Sequence, residues 1–106
     1  MLILSFSPKS TTEKPVLTFN FSTIGVMGGA ELIISQTTTV EVQKGIDPTP
    51  ASILNGPATL DPAHPHRILQ RVQDGIDGVI YLLKVQVLTN FGNVYEIYRL
   101  LRIANP

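Results

Sequence analysis

Apolar and polar residues alternate with a period of two along most of the chain, the pattern of half-buried β-strands. Leu2, Leu4 and Phe6 alternate with Ile3, Ser5 and Ser7, which predicts a short strand or an extended arm. Residues 8–14 are polar and aperiodic and read as a linker, so an arm and linker (1–14) precede a domain spanning 15–106. Leu17, Phe19 and Phe21 alternate with Thr18, Asn20 and Ser22 and predict a clean strand. Gly25, Gly28 and Gly29 mark a loop. Leu32, Ile34, Thr38, Val40 and Val42 share one parity, which Gln36 interrupts. That break predicts two strands with a bulge or bend between them, within 34–37.

One helical signal follows. Thr49 suits an N-cap, Pro50 suits the first helical position, and Asn55-Gly56 offers a left-handed stop. The expectation is a turn or two over 50–54, with Ile53 and Leu54 plugging the end of the core. Pro57, Pro62 and Pro65 make the next stretch irregular or a sheet edge. Ile68 and Val72 then share a face with Gln70 between them, and Asp74-Gly75 and Asp77-Gly78 are turn dipeptides. Val79, Tyr81, Leu83, Val85 and Val87 form the longest strict alternation. A tight connection at 90–93 leads to a last strand through Tyr95, Ile97, Leu101 and Ile103. About seven short strands with regularly spaced turns predict an all-β, antiparallel immunoglobulin-like β-sandwich, with an up-and-down barrel as the alternative.

Composition sharpens this picture. Nine Val, eleven Ile and ten Thr are a β-rich signature. With 106 residues there is room for one domain, and 43% hydrophobic against 15% charged residues excludes intrinsic disorder. Eight basic residues balance eight acidic ones, so the basic surplus of a nucleic-acid binder is missing. No cysteine is present, which removes disulfides, thiolate nucleophiles and Cys-based zinc sites. Residues 2–6 are too short and lack the basic flank of a signal peptide, and no apolar run approaches the ~18 residues of a membrane span. No membrane partner and no cofactor are expected.

Candidate chemistry is sparse. His64 and His66 would share a face on a strand, but only Asp61 is near them and a third ligand is unassigned. Asp74 and Asp77 lack the spacing of a calcium loop and read as turn residues that bond their own backbone. No Gly-x-Ser-x-Gly elbow or phosphate loop occurs, and the expectation is a protein without catalytic residues. Arg67, Arg71, Arg99 and Arg102 read as part of a mixed-charge solvated face. Phe91, Tyr95 and Tyr98 are the candidates for an aromatic ligand platform.

Two features remain. Tyr81, three residues after Gly78, resembles the tyrosine corner of Greek-key sandwiches, with an ordinary core aromatic as the plainer reading. On the last two strands the solvent parity is also apolar: Ile80, Leu82 and Leu88 on one, Val94, Tyr98 and Leu100 on the next. A sheet with one wet face should be polar there, so this face is expected to be covered, by the N-terminal arm or by another subunit. The candidate interface is Leu2, Leu4, Phe6, Ile80, Leu82, Leu88, Tyr98 and Leu100.

From about residue 15 to 104 the chain resembles the small Ig-like fiber–tail adaptor proteins of tailed bacteriophages. The likeness begins at Val16-Leu17-Thr18-Phe19-Asn20-Phe21-Ser22 and Thr37-Thr38-Thr39-Val40-Glu41-Val42. It continues through Asp47-Pro48-Thr49-Pro50-Ala51-Ser52-Ile53-Leu54-Asn55-Gly56, Gln70-Arg71-Val72-Gln73-Asp74-Gly75 and Gly78-Val79-Ile80-Tyr81-Leu82-Leu83. It closes on Leu88-Thr89-Asn90-Phe91-Gly92-Asn93-Val94. The order Asp-Pro-x-Pro-x-x-Ile-Leu-x-Gly, then Gly-x-x-Gly-x-x-Tyr, carries it. The resemblance implies a non-enzymatic virion component of the tail or neck, made in the bacterial cytoplasm. Its partners would be other tail, neck or fiber proteins and copies of itself. Residues 1–14 lie outside the match, and the Pro-rich loop 57–66 departs from it. A capsid decoration or glycan-binding module on the virion surface is the alternative reading.

Overall fold

The computed structural model describes residues 4–24 and 30–106. Within them, two three-stranded antiparallel sheets pack face to face. One sheet has the order β1-β4-β3, from β1 (Val16–Asn20), β4 (Arg67–Arg71) and β3 (Thr59–Leu60). The other has the order β2-β5-β6, from β2 (Ile33–Lys44), β5 (Ile80–Thr89) and β6 (Val94–Arg102). These orders are those of strands B-E-D and C-F-G of an immunoglobulin-like sandwich. The sheets remain separate, so the barrel alternative falls.

The alternation of 79–87 makes β5 the central strand of its sheet. Tyr81, Leu83, Val85 and Val87 are buried on its inner side, packed in one core with Phe19 and Ile68 of the facing sheet and Val72 just beyond it. A one-residue slip would turn this whole set toward water, so the register is strongly specified. Gln70 interrupts the apolar face of β4 yet is fully buried, because its Nε2 donates to the carbonyls of Gly56 (3.0 Å) and Arg71 (2.8 Å). The helical signal becomes a single 3₁₀ turn, Pro50–Ile53, that drops Ile53 into the core. Thr49 makes no side-chain cap; instead its N–H donates to Asp47 Oδ1 at 2.9 Å.

Three local expectations are corrected. The first strand ends at Asn20, and Phe21 starts a 3₁₀ turn (Phe21–Ile24) while staying buried. Its N–H is satisfied by His66 O rather than by a strand partner. The stretch expected as two strands is one continuous β2. Its register to β5 shifts at Ile34, a bulge within the expected 34–37, and again at Gln43, so the parity changes without a break. Finally, 8–14 is not a free linker. Lys9 is buried, its Nζ donating to Ser10 O and Asp74 O at 2.6 Å, and Thr11 bonds Asn105 Oδ1. Asp74 and Asn105 lie far along the chain, so no local pattern reveals these bonds.

The arm lies along β6 of its own domain. Phe6 N–H donates to Leu100 O and Leu100 N–H to Leu4 O, a parallel bridge between Ser5 and Leu100. A second bridge joins Lys9 to Ile103, with one extra residue on the arm between the two. Ser5 therefore shares the outer side with Leu100, and the Leu4 and Phe6 parity turns inward. Phe6 packs edge-on against Phe19, ring centroids 5.3 Å apart.

Phe6→Ala removes that aromatic pair and part of the core cover without touching the strands. We expect an intact β-sheet circular dichroism spectrum and a loss of about 2 kcal/mol in urea unfolding. A loss within error would mean that the arm contributes nothing to the fold.

Candidate functional site

The outer face of the β2-β5-β6 sheet can be built row by row from the register. Leu82 lies between Glu41 and Leu100, Lys84 between Thr39 and Tyr98, Gln86 between Thr37 and Glu96, and Leu88 between Ser35 and Val94. Ile80, Leu82, Tyr98 and Leu100 thus form one block at the end nearer the arm, each half-buried by its neighbours. Leu88 does not join them. It lies six residues along β5 from Leu82, roughly 20 Å at ~3.4 Å per residue. There it faces the 55%-exposed Val94.

Between the two blocks Lys84 Nζ meets Glu96 Oε2 at 3.3 Å. Both side chains are about one-third exposed (34% and 35%), so the pair divides the face more than it stabilises the fold. A shallow depression of about 230 Å³ opens among Thr39, Glu41, Leu82, Lys84 and Tyr98. It brings the apolar Leu82 and the ring of Tyr98 together with one cation, Lys84, and one anion, Glu41.

The remaining interface candidates lie elsewhere. Phe6 belongs to the core side, Leu4 is 55% exposed on that same side of the arm, and Leu2 lies outside the described residues. The arm therefore covers the edge of the sheet and not its outer face. Phe91, Tyr95 and Tyr98 form no platform. Phe91 is at the hairpin tip, Tyr95 is on the inner parity of β6 and Tyr98 on the outer. The four arginines divide between β4 and β6, in different sheets.

The polar residues serve the fold. Tyr81 is fully buried, and its hydroxyl accepts from Ile76 N–H at 3.1 Å and donates to Asp47 Oδ2 at 2.7 Å. The phenol thus holds a backbone group five residues upstream, the geometry of a tyrosine corner, while also tying down the loop after β2. Burial and the Asp47 carboxylate push its pKa up to about 12. Gly78 has φ +87° and donates its N–H to Ile103 O. Asp74 and Asp77 do not bond their own backbone. The Asp74 carbonyl receives Lys9, and Asp77 Oδ1 receives Asn105 N–H at 2.9 Å. His66 Nε2 sits 2.7 Å from Glu31 O, and among the described residues no three His, Cys, Asp or Glu side chains gather closely enough to hold a metal.

Sequence reasoning missed Glu31. It is buried two residues before β2, accepting from Thr89 Oγ1 (2.6 Å), Asn93 Nδ2 (2.8 Å) and Tyr95 Oη (3.2 Å). The Thr89 hydroxyl above all, then Asn93, Tyr95 and the nearby His66, hold its carboxyl below the ordinary 4.5 against the opposing effect of burial. Asp47 is likewise held below its ordinary 3.8, first by the Tyr81 hydroxyl and then by Thr49 N–H. These partners lie far away in sequence, so no local motif announces them.

A folded-state pKa below the unfolded one adds stability that is present above the unfolded pKa and disappears as pH falls through the folded pKa. We therefore expect the thermal midpoint to fall as pH drops from about 5 toward 3. Glu31→Gln should lower the midpoint at neutral pH and flatten that acid slope. Tyr81→Phe should cost about 1–2 kcal/mol in chemical unfolding by leaving Ile76 N–H without its acceptor and Asp47 with Thr49 alone.

Comparison with known proteins adds no assignment: no family model matches the chain, and no curated protein matches it.

Proposed function

We propose that this chain is a non-enzymatic structural component of a tailed-phage virion, an adaptor in the tail or neck that attaches fibers or other tail parts. The observation that carries this reading is the outer face of the β2-β5-β6 sheet. There Ile80, Leu82, Tyr98 and Leu100 remain half-exposed on strands whose other side already fills the core. A sheet face of this kind gains by contact with another protein surface. The sequence resemblance to fiber–tail adaptor proteins supplies the particular assembly. Zero net charge offers little long-range repulsion to close packing of identical copies or of neighbours.

Completing the burial of one large aliphatic side chain is worth up to about 1.5–3 kcal/mol, of which a half-buried Leu82 retains roughly half. Leu82→Glu would replace that gain by the cost of burying a charge. In a phage whose gene for this protein carries the substitution, we expect a folded protein and at least about a tenfold loss of incorporation into particles. Normal incorporation, or an association of the wild-type chain with no virion fraction at all, would refute the adaptor reading.

A further inference from the structure

We propose that two copies of this chain pair through the free edge of β2, antiparallel about a two-fold axis at Thr38. The two sheets then join in the order β6-β5-β2-β2-β5-β6. The inference stands on β2 alone and does not rest on the virion reading.

An edge strand presents a row of unpaired N–H and C=O groups that can template another strand. Three of the four sheet edges here are blunted. The arm covers β6, with an irregular register of its own. β3 has two residues, with Pro57 before it and Pro62 after it. β1 has five, with Pro15 before it and a 3₁₀ turn behind it. β2 is different. It runs for twelve residues, and its ladder with β5 is regular from Ser35 to Val42. Residues 33–40 contain no charge, no proline and no glycine. Among the described residues, no hydrogen bond from any element other than β5 reaches the backbone of 35–42.

The occupant is a second copy because this edge is complementary to itself. Centring the axis on Thr38 sets Thr37 against Thr39, Gln36 against Val40 and Ser35 against Glu41. No charge then faces its like, and the axis is lined by the Thr–Thr pairs that stabilise antiparallel neighbours. An axis at Glu41 would oppose two carboxylates. The bulged Ile34, 61% exposed, comes beside Val42 of the second copy at each end of the ladder. An independent observation falls at the same place. Among the described residues the buried side-chain polar atoms without a hydrogen-bond partner are Thr38 Oγ1 and Gln70 Oε1. Buried hydroxyls are normally satisfied. Thr38 lies on the inner parity of β2, beside Leu54 and Pro57, and the two Thr38 side chains would be nearest neighbours across the axis on that face.

The test uses the full chain, which has no cysteine of its own. Sedimentation should show a dimer, and Thr39→Lys, a folded variant by circular dichroism, should weaken it by about tenfold or more. Leu82→Glu should leave it unchanged, which separates this edge from the outer face. In mild oxidation, a mixture of Thr37→Cys and Thr39→Cys should form a mixed disulfide dimer far faster than either variant alone, a result that holds even if the lysine variant fails to fold. A monomer up to about 100 μM, a dimer lost in Leu82→Glu but kept in Thr39→Lys, or equal cross-linking of each cysteine variant by itself would overturn the proposal.

Discussion

The buried hydroxyl of Tyr81 is the contact on which the rest of the sandwich depends. It accepts from Ile76 N–H in the corner before β5 and donates to Asp47 in the loop after β2. One side chain thereby ties the start of the central strand to two connections that lie far apart in the chain. With β5 so anchored, its inner residues meet the facing sheet, and its outer residues have to project the other way. The half-exposed block around Leu82 is thus a geometric consequence of the same constraint that builds the core.

The corner also organises the C-terminal edge. Asp74 and Gly75 both take positive φ (52° and 96°), which turns the chain sharply under Ile103. A Cβ at Gly75 would come within 2.7 Å of Ile103 Cγ1, so only glycine lets the turn approach that closely. The same turn offers the Asp74 carbonyl to Lys9. Burial pulls the Lys9 pKa down, and the charges of Asp74 and Glu13 oppose that pull. The arm is fixed by this ammonium at one end and by the Phe6–Phe19 contact at the other. Closing the β6 edge leaves β2 at the opposite edge, where among the described residues the backbone of 35–42 bonds β5 alone.

Surface chemistry and fold are divided between the two sides of one sheet. Buried polar groups, notably Glu31 and Gln70, spend their hydrogen bonds on loops and strand ends inside the sandwich. The outer face keeps a modest set of aliphatic and aromatic side chains, split by the Lys84–Glu96 pair. That division keeps the groups that hold the fold apart from those that line the surface, and it makes the two apolar blocks separate surfaces.

The sequence by itself determined most of the strands, their inner faces and the two-layer class, because side-chain alternation is a property of each strand alone. It also placed Ile53 as a plug and a second apolar parity on β5 and β6, and it offered Tyr81 as either a corner or an ordinary core aromatic. Only the tertiary structure decided where the arm goes, that Leu4 and Phe6 turn inward, and that Leu88 stands apart from Leu82 and Leu100. It alone revealed the carboxylate of Glu31 caged by residues 58 to 64 positions away and the burial of Lys9. These depend on which strands become neighbours and in which register. Such pairing is chosen by the packing of the whole core, and period-two alternation is compatible with many registers until that core exists.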